Sequence, residues 1–183
     1  MTLQQNGPSN SSTQLATAPS TDFVVPDVTG MPVFQAVPVL QSVLQAYSVA
    51  TEIQLNGSDI DLSVQTDLRS VTNQSPVHTG QPVQAVDISL TAVVDDPDHD
   101  KIYMPNLVGL TATAAVAALA ALRAIALALY DGVGFDVETR DESGDPVLPP
   151  FGPNQRVRTT IPAEDGLVRP GDTVAVIVFD IGG

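Results

Sequence analysis

The chain of 183 residues has no cysteine and no tryptophan, a single lysine and only two histidines. Without cysteine, neither disulfides nor thiolate metal sites hold it together, and the redox state of its compartment leaves no trace in the sequence. Five Phe and three Tyr are the whole aromatic complement, which leaves few platforms for stacking on bases or sugars. No Gly-rich phosphate loop and no Gly-x-Ser-x-Gly elbow occurs. Twenty-one acidic residues against seven basic ones give a formal charge of −14. A field of that sign repels nucleic-acid phosphates and anionic lipid, which excludes a charge-driven role on DNA, RNA or membrane surfaces. The acidic excess suits either a high-salt medium that screens self-repulsion or a lysine-poor genome.

What is present is a duplication. Val25-Pro26-Asp27-Val28-Thr29-Gly30-Met31 opens one helix-like run, and Met104-Pro105-Asn106-Leu107-Val108-Gly109-Leu110 opens another. Each is followed by a proline, a glycine turn and an apolar strand: Ser75-Pro76 to Gly80 and then 87–94, Ile161-Pro162 to Gly166 and then 173–179. Repetition at this scale means two copies of one supersecondary unit. With 43 % apolar residues, the chain has enough for two modest cores.

The pattern Pro-[Asp/Asn]-x-x-Gly, then helix, then strands, with the closing Arg169-Pro170-Gly171-Asp172-Thr173-Val174, resembles the PASTA domain, a small extracellular module of penicillin-binding proteins and membrane Ser/Thr kinases. The resemblance runs from about Val24 to Phe179. In the first copy Ala85-Val86 stands in place of the closing Pro-Gly. It implies an α+β fold of two tandem PASTA-like domains, each a helix packed on a three-stranded antiparallel sheet, preceded by an extended N-terminal arm. The divisions expected are arm 1–22, first repeat 23–94, acidic linker 95–101 and second repeat 102–183. The family has no catalytic residues to carry over. Its matching positions here, Pro26, Gly30, Pro105, Gly109, Pro170 and Gly171, serve backbone geometry. In cell-surface members the resemblance implies recognition of peptidoglycan fragments or β-lactams, or a spacer role.

Residue patterns fill in the elements. In the first repeat Pro32 suits a helix start, and Phe34, Val37, Leu40, Val43, Leu44 and Tyr47 recur at helical spacing, with Pro38 expected to kink the helix or end its first turn. Asn56-Gly57, between Ile53/Leu55 and Ile60/Leu62/Val64, is a hairpin signal, and Ile88, Leu90 and Ala92 alternate in the last strand. In the second, Thr111 or Thr113 caps a helix running to about Tyr130, stopped by Asp131-Gly132. This helix is long and almost wholly Ala, Leu, Val and Ile. Arg123 at its middle and the lack of basic flanks favour a core helix over a membrane span. Phe135, Val137 and Thr139, then Val157, Thr159 and Ile161, then Val174, Val176 and Val178 supply three strands.

Candidate chemistry is sparse. His78 falls in a turn with no acid or serine fixed beside it. Asp96, Asp98 and Asp100 alternate as in half of a calcium loop, but Lys101 stands where that loop needs glycine and no closing Glu follows. The run, with His99, reads as a linker whose like charges keep the repeats apart. Asn56, Asp59 and Asp61 read as the polar face of a hairpin. No catalytic, cofactor-binding or metal-binding residue is therefore assigned, no cofactor is expected, and the chain is read as a non-enzyme.

Residues 1–21 carry neither a basic n-region nor an apolar h-region, so they read as an arm ordered by a partner surface rather than as a secretory signal. Two repeats on such an arm suggest, by analogy of organisation, a structural protein of a bacteriophage virion. It would be a capsid decoration or minor tail protein, anchored through the arm to other virion proteins or to copies of itself, displayed on the virion surface and touching host cell wall weakly. The alternative is a peptidoglycan-binding module, secreted or at the cell surface. No nucleic-acid or membrane partner is expected.

Overall fold

The computed structural model of the chain describes residues 22–60, 66–84, 86–162 and 166–182. Expectations for residues 1–21 and for Asp61, Leu62, Val64 and Ala85 lie outside these. The described chain is an α+β fold with two helices and several small sheets: α1 (Val33–Tyr47), β1 (Ile53–Leu55), β2 (Ser58–Asp59), β3 (Arg69–Ser75), β4 (Ile88–Asp95), β5 (Ile102–Tyr103), α2 (Ala112–Leu129), β6 (Asp136–Asp141), β7 (Gln155–Ile161), β8 (Leu167–Val168) and β9 (Thr173–Asp180).

Beside an antiparallel two-stranded sheet of β5 and β8, the two larger sheets are mixed, which corrects the expectation of purely antiparallel ones. The first has order β2-β1-β4-β3 and the second β6-β9-β7. In each, the last strand enters between the first strand after the helix, β1 or β6, and a later one, β3 or β7. It therefore runs parallel to β1 or β6 and antiparallel to β3 or β7. This puts the most apolar strand at the centre, where it has a neighbour on both edges. Ile88, Leu90 and Ala92 of β4 and Val174, Val176 and Val178 of β9 are buried there. The Asn56-Gly57 turn forms a hairpin, with φ of 52° and 78°, the left-handed pair that a two-residue turn needs, but its second strand is Ser58–Asp59 and stops before Ile60, which was expected to continue it.

β3 was not legible as a strand, and β7 faces the core differently from a strict alternation. Both carry a register shift after their inward valine. The shift turns Gln74 and Thr160 inward, while Thr159 and Ile161, expected on the inner face, are exposed. An extra residue on one strand of an antiparallel pair reverses the pleat beyond it.

The helices follow their patterns. α1 runs through Pro38 instead of breaking there; a proline removes one intrahelical hydrogen bond, and packing of Val33, Val37, Leu40 and Val43 holds the helix around it. On α2 the Thr111 side chain accepts from Ala114 N at 3.2 Å, and the helix ends at Leu129, with Asp131 and Gly132, both at positive φ, just beyond its Tyr130 cap. α2 is long and apolar enough to cross a membrane by length and composition. Here it packs along α1 and onto β6, β7 and β9, burying Ala115, Ala118, Leu119 and Leu122.

The two halves share one buried cluster. Gln35 of α1 is fully buried; it donates to Lys101 O (2.6 Å) and accepts from Tyr103 N (3.0 Å). Tyr47 Oη accepts from Thr111 N (2.9 Å), and Tyr130 Oη donates to Asp100 O (3.0 Å). The acidic run between the halves thus does not hold them apart. Two of its carboxylates are engaged locally: Asp96 is buried with Oδ1 accepting from Asp98 N, and Asp98 pairs with Lys101 at 2.8 Å.

Candidate functional site

The residues singled out for chemistry do not converge. His78 Nδ1 lies 2.7 Å from Val25 O, and His99 Nδ1 lies 2.9 Å from Asp96 O, so each ring tethers its own turn to backbone. Asn56 exchanges both side-chain hydrogen bonds with the backbone of Ala92, at 2.9 and 3.0 Å. This locks the hairpin tip onto β4. Among the described residues no group of three or more His, Asp or Glu side chains is placed to hold a metal ion, and no nucleophile sits beside a base.

Pro26, Gly30, Pro105 and Gly109 occupy the entry of each repeat, and Pro170 and Gly171 the turn into β9. Asp27 Oδ1 accepts from Thr29 N (2.9 Å) and Asn106 Oδ1 from Val108 N (3.0 Å). Beyond these turns Gly30 N donates to Val71 O and Gly109 N to Val157 O, at 2.8 and 2.9 Å. These residues build the fold and line no pocket described here.

Of the concave surfaces among the described residues, two are lined by helix residues. One is an open groove of about 490 Å³ in the first repeat, between the end of α1 and the β1–β2 hairpin. Leu44, Val49, Ile53 and Ile60 supply its apolar part. Gln41 and Gln45, one helical turn apart on α1, together with Thr51, Glu52 and Asp59, supply its polar part. Glu52 and Asp59 are exposed, and none of the ion pairs formed by described residues involves them. Next to Glu52, Asp87 Oδ1 accepts from Thr51 Oγ1 (3.1 Å) and from Glu52 N (3.3 Å). The sequence held no motif for this groove, because its residues come from three separate elements.

The other surface is a groove of about 480 Å³ between the helices, floored by Phe34 and Pro38 of α1 and by Ala121, Ile125 and Leu129 of α2. It has no polar side chain with which to orient a ligand.

The comparisons with known proteins add one finding. No family model and no curated protein matches the chain. Among solved structures it is similar to the entire extracellular region of the Ser/Thr kinase PrkC from Staphylococcus aureus, at 20 % identity over 87 % of this chain and 47 % of that one, with a TM-score of 0.26. This match corrects the expectation of a bacteriophage virion protein. What is matched is the extracellular part of a bacterial kinase, not a capsid decoration or minor tail protein. The virion-surface location, and the partners assigned through the N-terminal arm, are withdrawn with it.

Proposed function

We propose that the chain is a non-enzymatic module of the cell surface or extracellular space, built from two PASTA-like units, and that it binds peptidoglycan. The observation that carries the reading is the duplication in space. Two stretches with the same Pro-[Asp/Asn]-x-x-Gly entry each lead into a helix and a mixed sheet with the last strand central. No catalytic arrangement is assembled on either among the described residues. The units correspond to residues 23–94 and 102–183, joined by 95–101 and preceded by 1–22. The mixed groove of the first unit offers hydrogen-bonding side chains beside an apolar surface, as an orienting ligand site does.

Co-sedimentation with purified peptidoglycan sacculi tests this. The full chain is expected to pellet with sacculi in a saturable manner and to be released by soluble peptidoglycan fragments. A chain that stays in the supernatant at every sacculus concentration would overturn the reading.

A further inference from the structure

At the place in the second repeat that corresponds to the groove of the first, Arg123 and Leu127 of α2 lie directly over Gly134: a Cβ added to that glycine would come within 3.2 Å of Leu127 Cδ2 and 3.3 Å of Arg123 Cγ. Arg123 also donates to Phe135 O at 2.7 Å and reaches Asp136 at 3.8 Å. A basic side chain therefore stands over this place in the second repeat, at the position corresponding to Leu44, whereas among the described residues the charges lining the open groove are those of Glu52 and Asp59.

That lining selects among ligand chemistries. Among the described residues no aromatic ring lines the groove to offer a stacking platform for a sugar face, and no cation lines it to meet a carboxylate or phosphate. It does have two carboxylates that no described cation neutralises, two glutamine amides that both donate and accept, and apolar side chains between them. An alkylammonium group on a peptide answers all three features. Its charge meets the carboxylates through charge-assisted hydrogen bonds, its methylenes lie on Leu44 and Ile60, and its flanking peptide groups bond Gln41 and Gln45.

We propose that this groove binds the primary amine of a peptide side chain, with Glu52 and Asp59 as charge partners. The peptide source rests on the peptidoglycan-binding reading, since cross-linking peptides of the wall carry such amines. The chemistry at the groove does not depend on it.

The full chain and the E52Q/D59N double variant, checked by circular dichroism to be equally folded, would be titrated with three probes. These are soluble peptidoglycan fragments, the same fragments after acetylation of their free amines, and Nα-acetyl-lysine amide. The expected result is at least a tenfold loss of fragment affinity on acetylation, at least a tenfold loss in the double variant, and no further loss when the two are combined. Equal binding of native and acetylated fragments, or an unchanged affinity in the double variant, would overturn the groove assignment and leave wall binding standing. Binding of the lysine amide, lost in the double variant, with no binding of fragments would support the groove and overturn its wall source. No binding of any probe would overturn both.

Discussion

Asp27 and Asn106, the same position in the two entry motifs, hydrogen-bond to each other's backbone in both directions. Asp27 N donates to Asn106 O at 3.1 Å, and Asn106 N to Asp27 O at 3.0 Å. Such a reciprocal contact between equivalent residues is the mark of a two-fold relation. With α1 packed on α2, the repeats meet as the halves of an isologous dimer do, within one chain. The closed pairing leaves the groove of the first repeat facing outward, and several of the features that hold it are open to test.

Gly30 and Gly109 are equivalent residues, at φ of 86° and 83°, yet their surroundings differ. A Cβ on Gly109 would overlap the carbonyl of Gly80, whereas one on Gly30 meets nothing within 4 Å. Gly30→Ala should cost about 1 kcal/mol for the left-handed backbone alone. Gly109→Ala should cost about 3 kcal/mol or more, because backbone must also shift. Urea denaturation measures both, and equal losses would contradict the close approach of the two backbones.

Gln35→Ala leaves the carbonyl of Lys101 and the N–H of Tyr103 without their partner. A loss of about 2 kcal/mol is expected from the unsatisfied groups. A loss no larger than that of an exposed glutamine on the same helix, such as Gln41→Ala, would show that the contact between the halves contributes nothing.

These two residues also mark where the sequence was readable. Periodicity placed α1, α2, the Asn56-Gly57 hairpin and the inward faces of β4 and β9, since each alternates or recurs at its element's own period. It did not place β3, whose Arg-Ser-Val-Thr-Asn-Gln-Ser run has one apolar residue, or the inversion of β7, because a register shift breaks the period. Comparing the copies would have found both: Val71 and Gln74 stand before Pro76 as Val157 and Thr160 stand before Pro162. Gln35 carried no signal in the sequence, because its partners are backbone groups distant along the chain. The groove was invisible for a different reason: its lining, within residues 41–60, is local in sequence, but a helix end, a loop and a hairpin make no motif together.

The Arg69 guanidinium beside Asp67, with desolvation working against it, holds the Asp67 carboxyl below its ordinary value of 3.8. A depressed carboxylate pKa stabilises the fold fully above the unfolded value, and that contribution is lost as pH falls through the folded one. Asp67→Asn should therefore be less stable than the parent at neutral pH, with the gap closing below about pH 4. A gap that stays constant from pH 7 down to pH 2 would contradict this.

The Tyr103 phenol is pushed up to about 12, first by burial and then by its hydrogen bond to Asp96. The neutral phenol is the favoured form, so this contribution is present below the unfolded value near 10 and is lost as pH rises towards 12. Spectrophotometric titration should show phenolate at Tyr103 forming later than in the urea-unfolded chain. A Tyr103→Phe variant that leaves the late-titrating absorbance intact would refute the assignment.

Calorimetric titration of the full chain with soluble peptidoglycan fragments tests peptidoglycan binding most directly. An open groove with few anchors predicts saturable binding at about one site per chain, with a dissociation constant of roughly 10 μM to 1 mM, or about 7 to 4 kcal/mol. Failure to saturate, with no heat above dilution at fragment concentrations of about 5 mM, beyond the weak end of that range, would contradict the account.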